Sequence, residues 1–341
     1  MNRRTLLSTF GTAGIGGCFG LREEAYDLPE PAPPPEIPSG GSRSVEATAG
    51  PPRRLVVSED PSRGSDALEG RFLEPPSSEG PALLRITYTN TGDVARAFRF
   101  GPAPPLSARV GRPFDDGDPA LLLVPEADAE AIVEEAAGGC WRAAEVPPEP
   151  TGTETVALEA GETVENTYAL LVSPDADCPP TGAHRFVGER GTLFVSAWDP
   201  GAVGPGDSRF AGRTVPDLTP STVPVAWFHE ATESTTVFVE PTVERLAPPG
   251  DEVGFSLSNY GDRPLTIVPS GWGIHRLEGE RWRQRYPAVV PSQTASLPPG
   301  ETAWTTHRID TGGDSGFALE PGTYAYHAGS RAHAALFVVE G

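Results

Sequence analysis

The chain has 341 residues, with 47 acidic against 26 basic side chains and a formal net charge of -21. A surface this acidic excludes a nucleic-acid partner, because phosphates demand a basic face. Thirty-nine prolines and 39 glycines are spread along the chain. They interrupt every apolar run, which excludes a long helical architecture and points to many short strands.

In chain order, the first stretch is MNRRTLLSTFGTAGIGGC. Arg3 and Arg4 open it, an uncharged segment runs from Thr5 to Gly17, and Cys18 follows. A charged start, a short apolar run and small residues before a cleavage point are the layout of an export signal. Thirteen uncharged residues fall short of the roughly 20 that span a bilayer. The paired arginines resemble the twin-arginine export signal, and Ile15-Gly16-Gly17-Cys18 resembles a lipobox. These resemblances imply export and a lipid on Cys18, with the chain anchored outside the cytoplasmic membrane.

All 26 basic residues are arginine, and Met1 is the only methionine. This composition is similar to that of secreted proteins of extremely halophilic archaea. The physics agrees. So large a net charge strains a compact fold in dilute buffer. At molar salt the Debye length falls to roughly 3 Å and the repulsion is screened.

Residues 19–52 include LPEPAPPPEIPSGGS, which has no apolar period. They read as a disordered, proline-rich tether. Residues 53–228 read as a first β-domain. Ala82 to Thr89 and Val94 to Phe100 suggest a hairpin around Asn90-Thr91-Gly92-Asp93, with Asn and Gly supplying positive φ. Leu121 to Val124 is a short apolar run. Pro125 to Ala137 reads as a helix, started by Pro125 and acidic residues and stopped by Gly138-Gly139. Further strands are expected at Thr155 to Leu158, Thr163 to Val172, Ala183 to Val187, Thr192 to Trp198 and Val223 to Phe228. Residues 234–341 read as a second β-domain of eight short strands, which fits a β-sandwich.

An internal repeat supports this division. Asn90-Thr91-Gly92-Asp93 matches Asn259-Tyr260-Gly261-Asp262. Leu158-Glu159-Ala160-Gly161-Glu162-Thr163 matches Leu297-Pro298-Pro299-Gly300-Glu301-Thr302, and Pro180-Thr181-Gly182-Ala183 matches Glu320-Pro321-Gly322-Thr323. The pattern resembles immunoglobulin-like domains of prokaryotic surface proteins, including the group related to intracellular proteinase inhibitors. It implies an all-β chain of two tandem immunoglobulin-like β-sandwich domains. The first copy carries extra residues, 113–147, which hold the expected helix and read as an insertion the sandwich does not need. Ile132 and Val133 are its expected packing positions.

Candidate chemistry is sparse. Cys140 and Cys178 form an even pair in an oxidising compartment and read as a disulfide. A copper site of Cys178 and His184 would want a second His and usually an axial Met, and the mature chain has no Met. Gly313-Asp314-Ser315-Gly316 looks like a protease nucleophile motif, with His307 upstream. Triads are recognised by geometry, however, and the string reads as a turn. His327 and His333 flank a turn and could approach each other, with His275 or His307 as a third metal ligand. The bland reading, of histidines on strand faces, is preferred. Asp115-Asp116-Gly117-Asp118 lacks the spacing of a calcium loop. Trp272, Trp282 and Trp304 are expected in the core or on strand faces.

No catalytic residue, metal or cofactor is therefore assigned. The sequence reads as a membrane-anchored extracellular lipoprotein, not an enzyme, with a binding or structural role and a cell-surface protein as partner. The alternatives are a secreted proteinase inhibitor, or a hydrolase whose site has no recognisable motif.

Overall fold

A computed structural model describes residues 41–341, apart from 49, 61–66, 108, 115–119, 137–139, 149–150, 177–179, 202, 219–223, 248–251, 270, 287–293, 311–316 and 329–331. Arg3, Arg4, Cys18, Cys178 and Ser315 lie outside the described residues, as does the tether through residue 40. The chain is all-β and builds β-sandwiches.

The first part carries β1 (Ser44–Glu46), β2 (Arg54–Glu59), β3 (Leu68–Glu74), β4 (Ala82–Thr89), β5 (Arg96–Phe100), β6 (Arg109–Pro113) and β7 (Leu121–Pro125). One helical turn, α1 (Glu126–Ala129), leads to β8 (Val133–Ala136) and β9 (Cys140–Ala143). Then come β10 (Glu154–Leu158), β11 (Thr163–Val172), β12 (Gly182–Val187) and β13 (Thr192–Trp198). The alternation of ALLRITYT in β4 buries every second side chain, as period-two geometry requires. The main sheet runs β1-β2-β13-β12-β6-β7-β11-β4-β3. Ser42, just ahead of β1, exchanges both backbone hydrogen bonds with Phe72 of β3, at 2.9 and 2.7 Å. The sheet therefore closes on itself. Val57, Leu84, Leu123, Tyr168 and Leu193 share the enclosed core.

The second part carries β14 (Ala226–Trp227), β15 (Val237–Pro241), β16 (Arg245–Leu246), β17 (Glu252–Asn259), β18 (Leu265–Ile267) and β19 (Gly273–Glu278). It ends with β20 (Arg281–Tyr286), β21 (Ala295–Leu297), β22 (Glu301–Asp310), β23 (Phe317–Ala318), β24 (Gly322–Ala328) and β25 (His333–Val339). One sheet runs β14-β25-β24-β19-β20 and another β15-β17-β22-β23. Phe255 and Leu257 from one sheet share a core with Tyr324, Tyr326 and Phe337 from the other.

The repeated motif is a repeated structural corner. Asn90 and Asn259 are 2% and 0% exposed. The Asn90 amide nitrogen lies 2.9 Å from the Val94 carbonyl, and 3.0 Å from those of Leu158 and Glu159. That of Asn259 donates to Arg263 and Leu297, each at 2.9 Å. Each Asn carbonyl oxygen accepts the N–H of the Gly two residues on. The positive φ of the corner belongs not to Gly92 or Gly261 but to Gly161 and Gly300, at 78° and 79°. There the N–H must turn back to the Asn backbone carbonyl, at 2.8 and 2.6 Å, and only Gly adopts that φ freely.

This corner corrects the expected hairpin. β4 pairs with β3 and β11, whereas β5 pairs with β10. The chain at Asn90 thus crosses between sheets. Its side-chain bonds, rather than a tight turn, fix the crossing.

Other boundaries also differ from expectation. The tether ends earlier: β1 pairs with β2, because Val45 has core residues to pack against. The expected helix shrinks to α1, since Val133–Ala136 pairs with β9. The stretch 113–147 is not a dispensable insertion. β7 lies between β6 and β11, with Leu121 and Leu123 in the enclosed core. Its other side chains, Leu122 and Val124, are covered by Ile132, Val133 and Trp141, so the first two of these do pack on the sheet.

The segment before residue 228, read with the first domain, belongs to the second sandwich. Phe210, Leu218 and Trp227 cover Ala325, Ala334 and Leu336, and β14 pairs with β25. Ala325, Ala334 and Leu336 on that face of β24 and β25 are thereby buried. The described residues form one compact unit. Glu301 Oε1 accepts the Ala183 N–H at 2.7 Å, and the rings of Trp198 and Tyr260 lie 5.9 Å apart.

Candidate functional site

Closing a sheet leaves its two ends to be plugged by loops or left open. At one end of the first sandwich lies a partly open cavity of about 70 Å³. It is built from strand ends. Leu55, Ala82, Leu121, Leu170 and Ala197 form the floor and belong to the enclosed core. Ala47 and Pro51 from the β1–β2 turn, Pro76 and Pro81 from the β3–β4 loop, and Trp141 line it as well. The prolines hold those loops extended and carry no N–H to satisfy. Trp141 is fixed by its indole N–H, which donates to the Ser77 carbonyl at 2.8 Å.

Among the described residues, Arg53 is the single charged side chain of the lining. Its side chain is 17% exposed, and the nearest carboxylate oxygen, on Asp199, is 3.8 Å away. One guanidinium nitrogen, Nη1, donates to the Pro52 carbonyl at 2.9 Å. Nε is buried without a hydrogen-bond acceptor. The concavity is apolar with one charged group, as small-molecule sites are, but at about 70 Å³ it is smaller than the roughly 300–1,000 Å³ typical of them. Sequence reasoning missed it, because its lining comes from nine separate places in the chain whose only local signal is proline.

Cys140 also lines this mouth and is buried. Its expected partner, Cys178, is outside the described residues. Arg142, two residues on from Cys140, donates from Nη2 to the Ala176 carbonyl at 2.8 Å. This bond fastens β9 to the segment that leads to position 178.

The histidines divide between faces. His275 and His327 lie 5.1 Å apart, ring to ring. They sit on neighbouring strands, on the face shared with Ala325 and Ala334. His333 pairs with Ala328 and so points to the opposite face from His327. The approach of His327 to His333 expected across the hairpin therefore does not form. His184 is buried in the first sandwich, its Cβ beside Gly111. Among the described residues, no three His, Cys, Asp or Glu side chains are grouped as a metal site requires.

His307 sits against aromatic rings, 4.2 Å from Trp272 and 5.6 Å from Tyr326. A second cavity, of about 80 Å³, adjoins Trp272 and Tyr326. Trp272 and Trp282 pack on core clusters, whereas Trp304 is 66% exposed on its strand face. Burial holds His307 down to about 4 from its ordinary 6.5, and lowers His333 in the same direction.

At His307 the unfolded chain therefore binds more proton than the fold between pH 6.5 and about 4. The contribution of His307 to stability is full above that window and is lost as pH drops through it. Denaturant midpoints measured across it at constant salt should show this loss, and His307→Phe should flatten it. An unchanged slope in the variant would place the acid sensitivity elsewhere.

No family model and no curated protein matches the chain. Among solved structures, red sea bream transglutaminase aligns with 81% of this chain and 31% of its own, at 9% identity and a TM-score of 0.19. The chain thus spans about a third of that protein's length. Among the described residues, no helix is long and apolar enough to cross a membrane.

Proposed function

We propose that the chain is an exported, lipid-anchored surface protein of a halophile whose sandwiches serve as a binding module. The observation that carries the binding role is the apolar mouth of the first sandwich, lined among the described residues by one charged side chain, Arg53. The N-terminal signal, with Arg3, Arg4 and Cys18, supports the location. Net charge of -21 supports a high-salt habitat. In this reading Cys140 and Cys178 form a disulfide. It would close a loop of 39 residues and stabilise the fold by roughly 3–4 kcal/mol on the chain-entropy model. The Arg142 to Ala176 bond, which holds the two segments together, supports the pairing.

One fractionation tests both parts. Wild-type protein should partition with membranes, and Cys18→Ser should appear in the medium. Released protein, unfolded without reductant, should show no thiol reactive to a maleimide. Unchanged membrane association of the variant would refute the anchor, and two reactive thiols would refute the disulfide.

A further inference from the structure

We propose that two copies of this chain pair along β22, antiparallel, with Trp304 at the two-fold axis. The surface lies in the second sandwich and does not depend on the binding role proposed above. An edge strand presents a row of N–H and C=O groups that another strand can extend, and proteins blunt such edges with charge, Pro, bulges or a cover. β20 ends one sheet of the second sandwich. It carries exposed Arg281, Arg283 and Arg285, and its pairing with β19 holds a bulge. β15 ends another sheet and closes on Glu240 and Pro241.

β22 has none of these devices from Thr302 to Thr306, a run with no charged side chain and no Pro. It pairs with β17 over eight residues with no shift of register. Among the described residues, its only other strand partner is β23, at Ile309 and Asp310, so no strand pairs with the far side of residues 302–306. Here stands Trp304, 66% exposed and the most exposed large apolar side chain among the described residues. A cavity of about 80 Å³ lies beside it, lined by Ala303 and Thr305 with Phe255 and Leu257 of the core, so packing along this edge is incomplete.

The residues on the edge argue for a second copy as the occupant. Two-fold pairing lays an edge against itself, so its side chains must match about their midpoint and no like charges can meet. Thr302-Ala303-Trp304-Thr305-Thr306 is nearly symmetric about Trp304 and uncharged. With Trp304 opposite the partner's Trp304, Thr302 stands opposite the partner's Thr306 and Ala303 opposite the partner's Thr305. Aromatic and Thr pairs in these positions favour pairing. A foreign strand needs only the open edge, whereas the symmetry serves only a second copy. The chain as a whole carries a net charge of -21, so an uncharged edge is where two copies meet with least repulsion, and molar salt screens the remainder.

The test follows the full chain carrying Cys18→Ser by sedimentation velocity at molar salt over a wide range of concentration. It should pass from monomer to dimer as concentration rises. Trp304→Lys should raise the dimer Kd at least about tenfold, because each copy loses a buried aromatic and the two charges would meet at the axis. Trp304→Phe, which keeps the aromatic pair, should still dimerise. The exposed side chain is replaced in both, so denaturant midpoints measured where the chain is monomeric should match that of the parent. Under mild oxidation Trp304→Cys should give a covalent dimer. Thr306→Cys should not, because its two copies stand about 13 Å apart along the pair.

A chain that stays monomeric at every concentration would overturn the pairing. A dimer that survives Trp304→Lys unchanged would place the contact on another surface and overturn β22 as the interface. A covalent dimer from Thr306→Cys in preference to Trp304→Cys would overturn Trp304 as the residue on the axis.

Discussion

Asn90→Ala is expected to destabilise the first sandwich by about 3 kcal/mol, because the substitution strands the buried Leu158 carbonyl and removes the donor to the part-buried carbonyls of Val94 and Glu159. The Asn90 amide serves Val94, Leu158 and Glu159, and its own oxygen orders the Gly92 N–H. Asn259→Ala should cost somewhat less, since its amide serves two carbonyls. Asn→Asp at either site should be worse than Asn→Ala, although Asp is nearly isosteric. A carboxylate cannot donate, so it would face those carbonyls with a buried, unpaired negative charge. Denaturant midpoints of the four variants at fixed high salt decide the matter. If Asn90→Asp is milder than Asn90→Ala, the donor role assigned here is wrong.

The second large effect concerns β7. Replacing residues 114–145 by a short Gly/Ser linker, with Cys178→Ser, is expected to abolish folding of the first sandwich. The deletion removes Leu121, Leu122, Leu123 and Val124, each at most 3% exposed. Burial of four such side chains contributes on the order of 6–12 kcal/mol, comparable to the whole stability of a typical domain. It also unpairs β11 along five residues, Tyr168 to Val172, and opens the closed sheet between β6 and β11. Near-UV circular dichroism and amide exchange of the deleted chain would report the loss. Native-like protection in β4 and β11 of that chain would sink the claim and restore 113–147 as an added element.

What the sequence determined by itself is local. Strands with clean alternation or full apolarity, such as Ala82–Thr89, Thr163–Val172 and Thr192–Trp198, are legible because a strand's side-chain period belongs to the strand alone. The repeated Asn corner was legible as a string for the same reason: its donors and Gly-Glu-Thr turns recur at fixed offsets. Tertiary structure decided everything that depends on who lies opposite. Asn90 looks like a hairpin turn until its amide meets carbonyls 68 and 69 residues away. Val133–Ala136 continues a helical pattern until β9 offers a partner ladder. Leu121–Pro125 looks removable until it stands between β6 and β11. The candidate site is the extreme case. Arg53, Trp141 and Leu170 carry no shared spacing, and only closure of the sheet brings them to one mouth, because strand ends from distant parts of the chain meet there.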